Sequence, residues 1–272
     1  MRRVATVVAA TAGALAAWGL WFEPRRIVVR RPTLRLPRWP ARLAGLRVAV
    51  ISDLHAGAPH VKADAVARVV AKVNAERPDV VLLLGDYVDE HVAFGRHVAP
   101  EAVAGVLGGL RAAHGVYAVL GNHDWVEGGG RIARALRDAG IVVLENDAAP
   151  VADLLWVVGL AAGGRRRVDI GGAFASVPEG ASTIVLTHSP DVFPSLPDRA
   201  ALTVAGHTHG GQVNLPFLRR RAIPSRYGDR YAAGHVEEDG RHLFVSSGVG
   251  TSGYPVRLGR PPEVAVLTLQ PV

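Results

Sequence analysis

Val48-Ala49-Val50-Ile51-Ser52-Asp53-Leu54-His55, Val80-Val81-Leu82-Leu83-Leu84-Gly85-Asp86 and Val116-Tyr117-Ala118-Val119-Leu120-Gly121-Asn122-His123-Asp124 share one grammar. Each is a short, mostly apolar run that ends in residues able to hold a metal ion or a proton. Such runs read as strands. Between them lie amphipathic stretches near 61–76, 99–113 and 130–139, the first with Val61, Ala65, Val66, Val69, Val70 and Val73 at helical spacing. Further strand candidates fall at 141–144, 155–160, 184–186, 202–204, 243–245 and 264–269. The order β-α-β-α-β, then mostly β, predicts a layered α/β fold. Sheets packed as a sandwich carry helices on their outer faces, and ligands gather at the carboxyl ends of strands.

Two later strands repeat the pattern. Ile184-Val185-Leu186-Thr187 runs into His188, and Leu202-Thr203-Val204-Ala205 into Gly206-His207-Thr208-His209. On extended backbone, alternate residues point the same way, so Asp53 with His55 and His207 with His209 can each converge on one centre or bracket two. The chain has no cysteine, so a metal must be held by nitrogen and oxygen. Mixed Asp, His and Asn donors suit manganese, iron, zinc, cobalt or nickel. Each fragment alone has an ordinary reading as a turn or a cap. Five of them, each directly after an apolar strand, are hard to reconcile with a chain that has no use for them.

Together, Asp53-x-His55, Gly85-Asp86-x-x-Asp89, Gly121-Asn122-His123-Asp124, His188 and Gly206-His207-x-His209 resemble the five signature blocks of the calcineurin-like metallophosphoesterase superfamily. The resemblance covers residues 46–269. Within it, Gly206-His-Thr-His-Gly-Gly-Gln212 and Ser247-Gly-Val-Gly-Thr-Ser-Gly-Tyr-Pro-Val-Arg257 resemble the YaeI/YkuE-like branch of membrane-associated bacterial phosphodiesterases, which is similar to UDP-2,3-diacylglucosamine hydrolases. It implies the metallophosphoesterase fold and two divalent ions, manganese first, with iron, zinc, cobalt, nickel or magnesium as alternatives. One ion would be held by Asp53, His55, Asp86 and His209 and the other by Asp86, Asn122, His188 and His207, with Asp86 bridging. His123 would act beside the substrate, supported by Asp124, with Asp89 behind the ligands. The implied activity is a phosphoric ester hydrolase, a phosphodiesterase or pyrophosphohydrolase using metal-activated water. The alternatives are a nuclease or nucleotide phosphodiesterase, or a metal-binding signalling module without turnover.

Charge narrows the partners. Residues 1–45 hold nine arginines and one acid, a balance of +8, so the remainder sums to about −1 against a whole-chain charge of +7. A near-neutral main domain lacks the basic field of a non-specific nucleic-acid binder. The basicity belongs to the N-terminus, where Val4–Phe22 runs nineteen residues without a charge and ends in Trp18, Trp21 and Phe22. That length spans a bilayer core as a helix, with aromatics at the interface. The expectation is a single-pass cell-membrane anchor over 1–22; export after signal cleavage is the alternative. A basic, Pro-rich strap follows over 23–45, and then the metallophosphoesterase domain over 46–272. The expected partners are a phosphate-ester substrate, lipid-linked in the favoured reading, and the membrane; no protein partner is expected. Arg165, Arg166, Arg167, Arg219, Arg220, Arg221 and Arg226 are candidates for a cationic lip around the site.

Overall fold

The computed structural model describes residues 1–89, 91–152, 154–162, 167–215 and 223–272. Strands β3 (Leu46–Ile51) and β4 (Val80–Leu83) pair in parallel, with Val48 opposite Val80 and Val50 opposite Leu82. Because side chains alternate along a strand, the two faces separate by parity. Val48, Val50, Val80 and Leu82 face a core shared with Leu155 and Val157 of β8 (Leu155–Gly159), Ile184 and Leu186 of β9 (Ser182–Leu186), and Leu202 and Val204 of β10 (Ala200–Ala205). Ala49, Ile51, Val81 and Leu83 face the other way, against Val66, Val69 and Val73 of helix α2 (Ala63–Ala75). A strand with helices on one side and a second sheet on the other has no polar face, and this is why its sequence is uniformly apolar.

The first sheet runs β1 (Val28–Arg30), β13 (Glu263–Pro271), β3, β4, β5 (Val116–Ala118), β6 (Val142–Val143), with β2 (Thr33–Leu36) also paired to β13. The second runs β11 (Gly234–Glu238), β12 (Arg241–Val245), β10, β9, β8, β7 (Asp147–Ala152). Helices α3 (Pro100–Leu107) and α4 (Gly129–Asp138) join α2 over the first sheet, and Phe174, Phe193 and Tyr231 cover the second. Every strand and long helix expected from periodicity is present. Helix α3 stops earlier than the pattern predicted, where Gly108-Gly109 removes the propensity to continue.

Part of the Pro-rich segment is built into the first sheet as strands. Val28–Arg30 pairs in parallel with Glu263–Ala265, and Thr33–Leu36 with Thr268–Pro271. Leu34, Leu36, Trp39 and Leu43 are buried in the inter-sheet core. Upstream, helix α1 (Arg2–Ala17) continues through wider turns at Trp18–Phe22. Residues 1–18 are all exposed, and the helical stretch Arg2–Arg25 is long and apolar enough to cross a membrane.

Candidate metal centre

The carboxyl ends of β3, β4, β9 and β10, together with the turn after β5, deliver their loops to one rim. Main-chain bonds knit those loops: Asp53 N–H donates to Gly85 O at 3.0 Å, His55 N–H to Asp86 O at 2.9 Å, and Gly206 N–H to His188 O at 2.9 Å. Tight approach is possible because two glycines carry no Cβ. A methyl at Gly121 would fall on the Asp86 carboxylate, and one at Gly206 on the Ser52 hydroxyl.

All seven residues expected to hold metal are brought together. Nε2 of His55 lies 3.1 Å from Nε2 of His209, and Oδ1 of Asp53 is 4.0 and 3.6 Å from those two nitrogens. Alongside, Nε2 of His188 lies 3.0 Å from Oδ1 of Asn122 and 3.1 Å from Nδ1 of His207. Oδ2 of Asp86 stands between the groups, 3.6 Å from His55 and 3.1 Å from His188.

The expected mechanism of convergence is corrected. Strand alternation does not aim Asp53, His55, His207 and His209, because β3 ends at Ile51 and β10 at Ala205. Asp53 (φ 51°), His55 (44°), Asp86 (56°), His207 (69°) and His209 (50°) all sit in the left-handed region, half of the ten non-glycine residues that do so among those described. Such conformations cost about 1 kcal/mol or more each and persist where surroundings impose them.

The donor chemistry fits cations. His188 donates from Nδ1 to Leu84 O at 2.8 Å, and that carbonyl can only accept. Its Nε2 lone pair therefore faces the Asp86 carboxylate and the Asn122 carbonyl oxygen. In the same way, His55 Nδ1 donates to Asp89 at 2.9 Å, leaving its Nε2 lone pair toward Asp53 and Asp86. Electron-pair donors packed this closely repel one another unless positive charge lies among them. The proton affinities report the same well. Burial lowers the His188 imidazole, but the charge of Asp86 outweighs it and lifts it to about 10. Burial and the neighbouring His188 depress His207 to about 4. Burial pushes the Asp86 carboxyl up, but His188, His55 and His123 together hold it far below the usual carboxylate range.

His123 stands at the open side. Its Nδ1 lies 3.1 Å from Oδ2 of Asp89, and its backbone N–H donates to Oδ1 of Asp86 at 2.9 Å. Burial lowers its proton affinity, but Asp89 and Asp86 raise it overall. Asp124 supports main chain rather than the His123 ring: its carboxylate accepts from the N–H groups of Asp86 (2.7 Å), Tyr87 (2.8 Å) and Gly121 (2.8 Å). Burial and the Asp86 charge push its carboxyl up to about 7, against those three donors.

Two cavities meet at Asn122 and His207. One of about 460 Å³ is floored by Asp86, His123 and His209 and rimmed by Ser252, Tyr254 and Val256. The other, about 590 Å³, runs past His188 between Ala161, Ala162, Val168, Ile170 and Val192, with Arg226 at its edge. Of the arginines expected at a cationic lip, Arg226 reaches a cavity, Arg167 lines neither, and Arg165, Arg166, Arg219, Arg220 and Arg221 lie outside the described residues.

The role of the late glycine-rich stretch was not predicted. Val249 N–H donates to Ser52 O and Gly250 N–H to Asp53 O, locking the first ligand loop. Buried Arg257 ties the stretch together, donating to Ser247 O at 2.8 Å and Gly250 O at 2.6 Å, with Nη2 3.4 Å from Nδ1 of His209. An arginine among glycines beside an apolar strand was the available signal.

The chain is 31% identical to the phosphodiesterase YaeI of Escherichia coli (strain K12), over 92% of this chain and 88% of that one. It is 27% identical to the uncharacterized metallophosphoesterase YkuE of Bacillus subtilis (strain 168), over 96% and 92%. It is 26% identical to the UDP-2,3-diacylglucosamine pyrophosphatase LpxG of Chlamydia trachomatis serovar D, over 92% and 91%. The family model for calcineurin-like phosphoesterases matches residues 46–236, the span that carries every clustered ligand described above. With a family match over residues 46–236 and a relative 31% identical over 92% of its length, this chain belongs to the calcineurin-like phosphoesterase family.

Proposed function

We propose that this protein is a dinuclear-metal phosphodiesterase or pyrophosphohydrolase, anchored in the cell membrane by residues 1–22, that cleaves a lipid-linked or otherwise membrane-proximal phosphate ester. The observation that carries the reading is the placement of Asp86 Oδ2 between two donor groups, next to Asn122 and His207 where two cavities meet. A phosphate seated there has room for a substituent on each side, as a diester or pyrophosphate requires and a monoester does not.

Asp53, His55, Asp86 and His209 would hold one cation, and Asp86, Asn122, His188 and His207 the other. Two divalent ions so held supply Lewis acidity at the phosphoryl oxygens and a water acidified toward neutrality. The donors contain no thiolate, which suits manganese first and iron, zinc, cobalt, nickel or magnesium after it. The chain's own residues do the rest. Asp89 fixes the His123 ring from Nδ1 and favours its protonated form, so that its other nitrogen can give a proton to the departing oxygen. His55 and His188 are oriented by Asp89 and Leu84 O, and Asp124 holds the turns that carry Asp86 and Gly121. Ala161, Ala162, Val168, Ile170 and Val192 give the larger cavity an apolar lining suited to an acyl portion of substrate, beside the polar Thr187, Ser189 and Asp191.

LpxG is named for a diacylated nucleotide sugar, and the exposed apolar helix supports the same direction for this chain. The test uses the full chain in detergent, chelated and then reloaded with manganese. Expected is metal-dependent hydrolysis of bis-p-nitrophenyl phosphate, well above that of the monoester, and lost in His123→Ala and Asp86→Asn. Bound metal with no turnover of either ester would instead identify a binding module.

A further inference from the structure

The apolar helix meets the rest of the chain at its carboxyl end. Residues 1–18 are exposed, and Gly19 is the first buried position. Its carbonyl accepts from Arg257 N–H at 2.9 Å, and a Cβ there would stand 3.2 Å from Arg257 O and 3.4 Å from Val256 Cγ2. Just beyond, Glu23 and Pro24 are buried, and Glu23 accepts from the Trp18 indole at 2.8 Å. The helix end is thus seated on the segment that rims the 460 Å³ cavity over His123 and His209. If the helix spans a bilayer, its terminal aromatics lie at headgroup depth. Val256 then lies there too, and Tyr254, two residues away, is within about 7 Å along the chain.

A second observation is independent of the helix. Tyr254 is 73% exposed, and Gly253 O accepts from Ala93 N–H at 2.8 Å, which brings in Phe94, 87% exposed. Phe94 holds a positive φ of 63°, a conformation that aromatic residues rarely adopt. Among the described residues, the exposed aromatics are Trp18, Trp21, Phe22, Phe94 and Tyr254, and all belong to this junction. Exposed Arg25 and Arg26 add positive charge beside it, Arg25 lying over the Trp21 ring. Aromatic side chains with adjacent arginines are the chemistry of a bilayer interface with anionic lipid.

We propose that Phe94 and Tyr254 extend the aromatic end of the helix into a membrane-contacting rim, which lays the mouth of the metal cavity on the lipid headgroups. Substrate then enters sideways from the leaflet in which the helix ends, without leaving the membrane surface. This inference rests on the membrane-anchored reading given above.

The absence of native cysteine allows a direct test in the full chain. A polarity-sensitive fluorophore is attached to Phe94→Cys, Tyr254→Cys or Glu179→Cys, the last on the opposite rim, at the amino end of β9. Each protein is inserted into phosphatidylcholine–phosphatidylglycerol vesicles. Expected is blue-shifted emission at 94 and 254, several-fold stronger quenching there by nitroxide lipid than at 179, and protection from aqueous iodide. In parallel, Phe94→Asn, which suits a positive φ, should keep hydrolysis of soluble bis-p-nitrophenyl phosphate and lose several-fold on a vesicle-embedded phosphodiester. Proteins that float with vesicles but show equal lipid quenching at all three positions overturn the rim and leave the anchor standing. Failure of the full chain to float overturns both.

Discussion

His123 is held from two sides, by Asp89 at its ring and Asp86 at its backbone N–H, and both anions favour its protonated form. Its raised proton affinity favours the acid form, which is lost as pH rises through the shifted value. Asp89→Asn removes the nearer anion, so the alkaline limb of the rate profile should move to lower pH by about one unit. The rate near pH 8 should fall about 10- to 100-fold. Profiles of kcat against pH check this, and an unmoved alkaline limb would remove Asp89 from the proton-holding role. Asp124 predicts a different signature. Removing its carboxylate in Asp124→Ala strips acceptors from three buried N–H groups, at about 1–3 kcal/mol each. Thermal unfolding should show a loss of about 3 kcal/mol or more. Lost turnover with an unchanged unfolding midpoint would place Asp124 in the chemistry instead.

At the scale of elements, the strands were legible because burial on both faces leaves only apolar residues, and the ligands because each follows such a run directly. What the sequence did not reveal is the backbone state at Asp53, His55, His207 and His209. It is imposed by tertiary approach, as at Gly121 against Asp86, and has no period to detect. The placement of β1 and β2 was hidden for another reason. Pro32, Pro37 and Pro40 and the arginines make residues 23–45 read as linker, while Leu34, Leu36, Trp39 and Leu43 do the packing. Burying four such side chains contributes about 6 kcal/mol or more, comparable with the whole stability of many domains. A chain beginning at residue 46 should therefore fail to give a cooperative melt by circular dichroism, whereas one beginning at residue 23 should retain it. A cooperative melt of residues 46–272 alone would show β1 and β2 to be dispensable.

For the molecule as a whole, the two sheets and the loops at their shared rim converge on one electrostatic well, so cation binding should be felt in global stability. At saturating manganese, about 1,000 times the dissociation constant, the gain is about 4 kcal/mol. For a chain of this size that corresponds to a rise of about 10 °C in the unfolding midpoint over the chelated protein. Asp86→Asn should abolish most of that rise, and a full rise in the variant would show that the cations bind elsewhere. The left-handed turns under five of the seven ligands carry one more consequence. Asp and His are among the residue types that visit this region with least penalty, so the alphabet of metal donors and the alphabet of permitted torsions coincide at those sites. Anyone grafting this centre onto another scaffold would have to reproduce five torsion angles as well as seven side chains, and a host built from regular strands and helices offers no place to put them.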